Sequence, residues 1–270
     1  MKKNALMILP VLITLLSISA CLVNAPASTS TPLPTIPPAP TKTPTIPPQP
    51  TANLSQEKIA DHLDSLNNLS GYTIEVIYPR LTGEDAVSQE FNQSAKALVE
   101  HVIDFFKKDL ENMGELPPDM VSHESSLNID YEIIHAEDDL ISVLFGISIY
   151  YAGAAHPSHF TEALNFDLIN NSVADLSSLF KPGTDYLLFL SDYCLDDLQK
   201  QGVLEWEDGA LPKLENYRVW NISTDGLMIT FDQYTVAPYA AGPQKVTIPF
   251  DQMSDVLDPA GLLGRVISLE

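Results

Sequence analysis

The longest regular pattern of apolar side chains lies between Val87 and Met113. Apolar residues recur there every three or four positions, as they do along one face of an α-helix. They are Phe91, Ala95, Leu98, Val99, Val102, Phe106, Leu110 and Met113. The polar face carries both signs of charge, with Lys96 four residues before Glu100. A helix that binds a membrane surface would carry a basic polar face, so we expect this one to pack against a sheet.

Alternating apolar and polar residues predict strands around this helix. The predicted strands are residues 72–78, 127–135, 140–151, 161–168, 217–222, 227–231 and 245–250. The clearest is 140–151, where Ile141, Val143 and every second residue after them share an apolar face. Pro79 lacks an N–H and is expected to limit pairing beyond the first strand. The segment 223–226 reads as a hairpin turn.

Three further helices complete the predicted elements. One spans residues 55–69, with Ser55 as its cap, and a second follows Thr184 as cap and buries Cys194 on its apolar stripe. A short closing helix covers 251–257, after which Pro259 and Gly261 are expected to end regular structure. The fold class predicted is therefore α+β, a mainly antiparallel sheet packed by a long amphipathic helix and a second helix.

The first twenty residues read as a lipoprotein signal peptide. Lys2 and Lys3 precede an apolar run that is too short for a stable transmembrane helix, and the run leads into Ile18-Ser19-Ala20 and then Cys21. This is the pattern of a lipobox, in which cleavage leaves Cys21 acylated and the chain held on the extracytoplasmic face of a bacterial membrane. The alternative is an ordinary signal peptide followed by a chance cysteine.

Residues 21–52 are predicted to be an acylated cysteine followed by a stalk rich in proline and threonine. The phrase Pro-Thr-Ile-Pro-Pro occurs twice, and proline-rich chains extend by about 3.1 Å per residue, which gives a stalk of roughly 80 Å. A proline-rich ligand for a partner domain is the alternative. The globular part is expected to divide into residues 53–155, with a strand, the long helix and a strand pair, and residues 156–270.

Charge narrows the choice of partner. All 36 acidic residues and eleven of the 14 basic residues lie from Glu57 onward, so this part carries a formal charge of −25. Such a field repels phosphates and excludes nucleic acid as a partner. It favours either a cationic partner or no more than solubility. Once Cys21 is acylated, Cys194 has no partner for a disulfide, and a buried thiol is a poor nucleophile.

Two stretches of the sequence carry a family resemblance. The first is Tyr-Tyr-Ala-Gly-Ala-Ala-His-Pro at 150–157, and the second is the segment 226–243, which contains Tyr234-Thr235-Val236-Ala237-Pro238-Tyr239. With 164–168 and 175–180 between them, they resemble the extracytoplasmic C-terminal module of RsiV-type anti-sigma factors, also present in PdaC-type peptidoglycan deacetylases. The resemblance extends over about residues 72–257.

The resemblance implies a compact α+β domain whose best-known relatives bind lysozyme outside the cell. Those relatives carry a cytoplasmic sigma-binding segment and a transmembrane helix. In this sequence a predicted lipoprotein signal takes the place of both, so we do not expect an anti-sigma role. The deacetylase domain is absent from this sequence as well. What carries over is binding, either to lysozyme-like protein or to cell-wall glycan.

Candidate chemistry in the sequence is sparse. His156 and His159 flank Pro157, which prevents the helix that would align them on a metal, so a turn with the His156 ring bonded to backbone is the preferred interpretation. The sequence has no Gly-x-Ser-x-Gly, His-Glu-x-x-His or P-loop motif and calls for no cofactor or metal. We therefore expect a binding protein more than an enzyme.

The candidate ligand-binding residues are Tyr234, Pro238, Tyr239 and His156. Aromatic rings on an exposed loop stack on sugars or anchor a protein partner, although they can also simply close the end of a sheet. The expected function is a binding or sensing module, for lysozyme-like cationic protein or, alternatively, for peptidoglycan. A wall-polymer hydrolase or an accessory to a deacetylase is the third possibility.

Overall fold

The computed structural model describes residues 54–63, 71–113, 124–137 and 139–268. The predicted lipobox, Cys21 and the stalk lie outside these residues. None of the helices within the described ranges has the length and apolar content that crossing a membrane requires.

Six strands form the larger sheet, in the spatial order β1-β2-β3-β4-β5-β6. Their bounds are β1 Leu54–Leu63, β2 Tyr72–Leu81, β3 Ser125–Glu137, β4 Leu140–Tyr150, β5 Ser158–Asp167 and β6 Ser172–Val173. Neighbours pair antiparallel except β2 and β3, which run parallel over residues 72–76 and 125–129. The predicted pair of strands around residue 138 is confirmed, with an irregular register between Ile133 and His135.

The long helix α1, Ala86–Met113, connects β2 to β3 and covers one face of the larger sheet. Its buried residues include six of the eight positions of the predicted apolar stripe, namely Phe91, Ala95, Val99, Val102, Phe106 and Leu110. Leu98 is only partly buried, and Met113 at the end of the helix is exposed. The six buried residues pack against the alternate residues of β2 and β4 that point the same way. The predicted amphipathic helix on a sheet is therefore confirmed, and this layer forms the first core.

A second core lies around a smaller sheet of three antiparallel strands. These strands are β7 Trp220–Ile222, β8 Gly226–Phe231 and β9 Gln244–Pro249. Helix α2, Tyr186–Gln201, packs on this sheet through Leu190, Cys194 and Leu198. The short helix α3, Leu262–Ser268, adds Leu262 and Leu263 to the same core. The predicted α+β class is thus confirmed, with antiparallel pairing dominant.

The two sheets meet on the face of the larger sheet that α1 leaves uncovered. Leu144 of β4 packs there against Val219 and Met228. Beside this contact lies a polar cluster of Ser142, Asn165 and Asn221, all buried, which we call the inter-sheet polar cluster. The Asn221 amide donates to Ser142 Oγ at 2.9 Å and to the Val143 carbonyl at 3.0 Å, and the Asn165 amide donates to the Trp220 carbonyl at 2.7 Å.

The helix predicted over residues 55–69 is wrong for residues 55–63, which belong to strand β1. Strand β1 pairs antiparallel with the whole of β2, so a contact with a distant part of the sheet overrides the local apolar spacing. Residues 64–69 of that prediction lie outside the described residues. Pro79 also fails to end pairing, since β2 continues to Leu81. It lies beyond the segment paired with β3, so its missing N–H leaves the β2–β3 ladder intact.

Three predictions near helix ends need correction. The cap of α2 is Asp185 and not Thr184, because the Asp185 carboxylate accepts from the Leu188 amide at 3.2 Å. The closing helix predicted over 251–257 is a 3₁₀ turn, Phe250–Met253, followed by further turns. Pro259 and Gly261 do not end regular structure, since α3 follows them and its Leu263 is fully buried.

Candidate functional site

A groove of about 610 Å³ opens on the face of the larger sheet opposite α1. The smaller sheet covers only part of this face, and the uncovered part becomes the floor of the groove. The connection between β8 and β9 supplies the wall. The lining residues are Glu75, Ile77, Asn128, Ile129, Asp130, Gly146, Ile147, Ser148, His159, Phe160, Thr161, Asp232, Gln233, Tyr239 and Pro243.

The floor carries two rows of polar side chains beside the apolar Ile77, because side chains on four neighbouring strands fall into register. Glu75 pairs with Asn128, Asn128 with Ser148, and Ser148 with His159, so one row of polar residues crosses β2, β3, β4 and β5. A second row follows with Asp130, Gly146 and Thr161. Paired residues on adjacent strands point to the same face, so both rows face the groove.

Gly146 makes room for the Asp130 carboxylate. A Cβ atom placed on Gly146 would lie 2.5 Å from Asp130 Oδ1, closer than two such atoms can approach. The carboxylate therefore lies across the backbone of β4, inside the groove, in space that a larger residue at 146 would fill. Glycine in the middle of a strand commonly marks such a close approach.

One arginine joins the floor to the wall. The Arg218 guanidinium donates to Glu162 Oε1 at 2.8 Å and to Asp232 Oδ2 at 2.6 Å. It also donates to the Thr161 carbonyl at 3.1 Å, while the Thr161 hydroxyl donates to Asp232 Oδ1 at 2.7 Å. Since Glu162 and Thr161 belong to β5 and Asp232 follows β8, these bonds tie the two sheets together at the groove.

Burial governs the titration of the two carboxyls that Arg218 holds. Desolvation raises the pKa of Asp232 above its ordinary value, and the bonds from Thr161 and Arg218 only partly oppose this effect. Desolvation likewise raises the pKa of Glu162, against the attraction of Arg218 and with a further contribution from the negative charge of Asp232. The ion pairs are therefore formed at some cost in solvation.

Aromatic rings lie at the edge of the groove, where Tyr239 and His159 line it and His156 and Tyr234 lie next to Tyr239. The Tyr239 ring lies 4.7 Å from that of His156, 6.2 Å from that of His159 and 5.7 Å from that of Tyr234, centre to centre. The Pro157 carbonyl holds this row together, because His156 Nδ1 lies 2.8 Å from it and the Tyr239 hydroxyl donates to it at 3.3 Å. We call His156, Tyr239 and Tyr234 the aromatic rim.

Tyr234 adopts a backbone conformation that is rare for a bulky residue. Its φ angle is 66°, in the left-handed region, and its amide donates to the Ala237 carbonyl at 3.0 Å to close a tight turn. The side chain is 60% exposed. A strained backbone that presents an exposed ring is a feature found most often at sites of contact with ligands.

The structure brings together three of the four ligand-binding residues predicted from sequence. His156, Tyr234 and Tyr239 form the aromatic rim, and the predicted bond of the His156 ring to backbone is present. Pro238 is exposed and precedes the short 3₁₀ helix Tyr239–Ala241, so it shapes the loop without lining the groove. Cys21 lies outside the described residues.

Sequence reasoning missed the floor. Glu75, Asn128 and Asp130 are the exposed residues of alternating strands, a pattern that the sequence does show, but their convergence depends on the parallel register of β2 and β3. Arg218 was missed as well, because its partners lie 14 and 56 residues away in the chain.

The groove offers groups for hydrogen bonding and for ring stacking. Carboxylate, amide and hydroxyl groups of the floor offer both acceptors and donors, and the rim offers aromatic faces. Within the described ranges no hydrogen bond joins Ser148 to the neighbouring His159, and no cluster of three potential metal-ligating side chains occurs. Cys194 lies far from this chemistry in the second core, where burial raises the pKa of its thiol.

Comparison with known proteins finds one family model that matches part of the chain. Residues 177–251 match the family described as a protein of unknown function, DUF3298. The matched segment contains α2, the smaller sheet, and Tyr234 and Tyr239 of the rim. The chain is also 25% identical over 197 residues to the peptidoglycan-N-acetylmuramic acid deacetylase PdaC of Bacillus subtilis strain 168. That alignment covers 71% of this chain but only 40% of PdaC.

Two solved structures share the fold. A DUF3298 family member from Bacteroides fragilis NCTC 9343 superposes with a TM-score of 0.56 at 18% identity, covering 81% of this chain and 99% of that one. A DUF3298 family protein from Pseudomonas aeruginosa PAO1 gives a TM-score of 0.54 at 13% identity, with coverage of 76% and 95%. These likenesses extend the α+β architecture to the family and carry no statement about ligands.

Proposed function

We propose that this protein is a binding module of the bacterial cell envelope that holds a segment of wall glycan in the groove. The observation that carries the proposal is the combination of a polar floor with an aromatic rim. Sugar rings present hydroxyl groups at their edges and C–H groups on their faces, so they need hydrogen-bonding partners and aromatic surfaces together.

The dimensions of the groove support a saccharide ligand. A volume of about 610 Å³ lies in the range of sites that bind small molecules, typically about 300 to 1,000 Å³. The groove is not an enclosed cavity, which suits a short section of a continuous polymer. The sequence shared with PdaC adds support, since PdaC is a peptidoglycan deacetylase.

The location we propose for this activity is the extracytoplasmic face of the membrane. Acyl chains on Cys21 would anchor the protein, and the proline-rich stalk of residues 21–52 would hold the groove away from the lipid. Radiolabelled fatty acid fed to cells is expected to label the wild-type protein and not the Cys21→Ser variant. Equal labelling of both proteins would rule out the anchor.

The test of glycan binding uses the full-length protein in detergent and purified, protein-free peptidoglycan. We expect the protein to sediment with the peptidoglycan, and the double variant Tyr234→Ala, Tyr239→Ala to lose most of this binding. Removal of a stacked ring typically costs about 1–3 kcal/mol, so an affinity loss of roughly tenfold or more is expected.

The matched control is Phe105→Ala, which removes an exposed aromatic ring from α1, on the opposite side of the larger sheet. This variant should sediment like the wild type. Equal retention by the rim variant and the wild type, or equal loss in the rim variant and the control, would contradict the proposal.

A second candidate function is recognition of a lysozyme-like cationic protein. The formal charge of −25 beyond the stalk favours it, and so does the resemblance to RsiV-type modules. Such binding is expected to be strong at low ionic strength and to weaken steeply as salt rises. Absence of complex formation with lysozyme at low ionic strength would remove this candidate and leave the glycan proposal untouched.

A further inference from the structure

The charges inside the groove are unbalanced. Glu75 and Asp130 project from adjacent strands onto the floor, both exposed, and no described side chain forms an ion pair with either of them. The lining residues include no lysine or arginine. Asp232 contributes a third carboxylate on the wall, but Arg218 and Thr161 already occupy both of its oxygens.

Asp130 is placed for contact with a ligand by the absence of a side chain at position 146. The carboxylate lies over Gly146, in the second row of the floor, where the rim residue Tyr239 also lines the groove. A ring stacked on Tyr239 would thus have a free carboxylate within the same cavity. The uncharged residues Asn128 and Ser148 stand beside Asp130 in the first row of the floor, which ends at His159.

We infer that the groove prefers glycan whose 2-amino groups are free, and so carry an ammonium, over fully N-acetylated glycan. The inference rests on the proposed glycan-binding function and names the class of sugar within it. An ammonium donates up to three hydrogen bonds and is attracted by the carboxylates of Glu75 and Asp130, whereas an acetamide offers one donor and no charge.

The overall charge of the protein attracts any cation, so the experiment must separate the groove from this general field. Isothermal titration calorimetry compares a glucosamine oligosaccharide with an N-acetylglucosamine oligosaccharide of the same length, using the full-length protein in detergent. We expect the glucosamine oligomer to bind about fivefold more tightly, the size of effect that one or two partly exposed ion pairs produce.

Two double variants with the same change in charge test whether the preference for the glucosamine oligomer arises in the groove. Glu75→Gln with Asp130→Asn removes the free carboxylates of the floor, and Asp104→Asn with Glu111→Gln removes two exposed carboxylates of α1. The first pair should abolish the preference, measured as the ratio of the affinities of one variant for the two oligomers, whatever its effect on binding of the N-acetylated oligomer. The second pair should retain the preference.

The pH dependence of the preference can be measured on the wild-type protein alone. Raising the pH until the sugar amine loses its proton should remove the preference while binding of the N-acetylated oligomer persists. Equal affinity of the two oligomers at a pH at which the sugar amine is protonated, equal effects of the two double variants, or a preference that survives deprotonation would each overturn the inference. Failure of both oligomers to bind would instead refute the proposed glycan-binding function itself.

Discussion

Burial decides the chemistry of Cys194 at the scale of a single side chain. The thiol lies on the buried stripe of α2 with no exposed surface, and desolvation raises its pKa above the ordinary value for cysteine. A thiol reacts through its thiolate, which is scarce under these conditions. The residue therefore acts as a small apolar side chain of the second core, as its position in the sequence pattern indicates.

We expect Cys194 to be inert toward a thiol reagent such as dithionitrobenzoate at pH 8 in the folded protein. Unfolding in guanidinium chloride should expose it and restore the reactivity of an ordinary thiol. Absorbance at 412 nm follows the reaction, and the Cys194→Ala variant supplies the background. Rapid reaction of the native protein at this residue would contradict the buried position.

A second residue-scale prediction concerns Glu162. Desolvation and the charge of Asp232 raise its pKa in the folded state, so the protonated form is favoured by folding. Its contribution to stability should therefore increase as the pH falls from neutral into the range just above the ordinary glutamate pKa, and should be lost again as the pH rises. The side chain is about one third exposed, so we expect only a few tenths of a kcal/mol.

Urea unfolding at pH 7 and pH 5 measures this effect. The free energy of unfolding of wild type relative to Glu162→Gln should rise on acidification, because only the wild type can take up the proton. The exposed Glu100 provides a comparison, and Glu100→Gln should track the wild type more closely at both values. A change of opposite sign for Glu162→Gln would show that the ion pair with Arg218 outweighs desolvation.

At the scale of elements, α1 shows which structures a sequence pattern predicts well. A helix with one apolar face and one polar face has its periodicity fixed by its own geometry, so the stripe from Phe91 to Leu110 could be read without knowledge of its partner. Strand β1 is the opposite case. Its pairing with β2 comes from a contact between separate segments, and the local spacing of Ile59 and Leu63 pointed to a helix instead.

Adjacent phenylalanines of α1 test the orientation of this helix. Phe106 is fully buried against Tyr72, with ring centres 5.8 Å apart, whereas Phe105 is 50% exposed. Phe106→Ala should lower the free energy of unfolding by about 3–5 kcal/mol. Phe105→Ala should change it by less than about 0.5 kcal/mol. Chemical denaturation measures both, and similar losses in the two variants would disprove the assigned face.

At the scale of the whole molecule, the inter-sheet polar cluster fixes how the smaller sheet lies on the larger one. Ser142, Asn165 and Asn221 are fully or almost fully buried, and their bonds cross from β4 and β5 to β7. Apolar contacts alone would allow the two sheets to shift relative to each other. Buried hydrogen bonds form only in one relative position of the sheets, because donors and acceptors must meet. The uncovered part of the sheet, which is the groove floor, depends on this arrangement.

Asn221→Ala is expected to lower the free energy of unfolding by about 2–3 kcal/mol, because Ser142 and the Val143 carbonyl each lose a buried donor. The exposed Asn112 of α1 is the matched control, and Asn112→Ala should be neutral or slightly stabilising since alanine favours the helix. Urea denaturation separates the two outcomes. A neutral Asn221→Ala would show that the polar cluster contributes nothing to the packing of the sheets.

The candidate site divides into a part that the sequence predicts and a part that it does not. Tyr234, Tyr239 and His156 follow strand patterns in segments rich in turn residues, so their exposure on loops could be expected. Their mutual contacts, and the convergence of Glu75 and Asp130 beneath them, arise from strand order and register. No local pattern encodes a parallel neighbour 53 residues away in the chain.

The left-handed turn at Tyr234 has a consequence for how the protein tolerates change. An asparagine would fit a φ of 66° with less strain, so the domain retains a residue that makes this loop less stable, typically by about 1 kcal/mol. Random mutation followed by selection for heat resistance alone should therefore replace this tyrosine readily. Under the proposed function, selection for binding of wall glycan should keep the tyrosine instead, because the ring that lowers stability would contact the ligand.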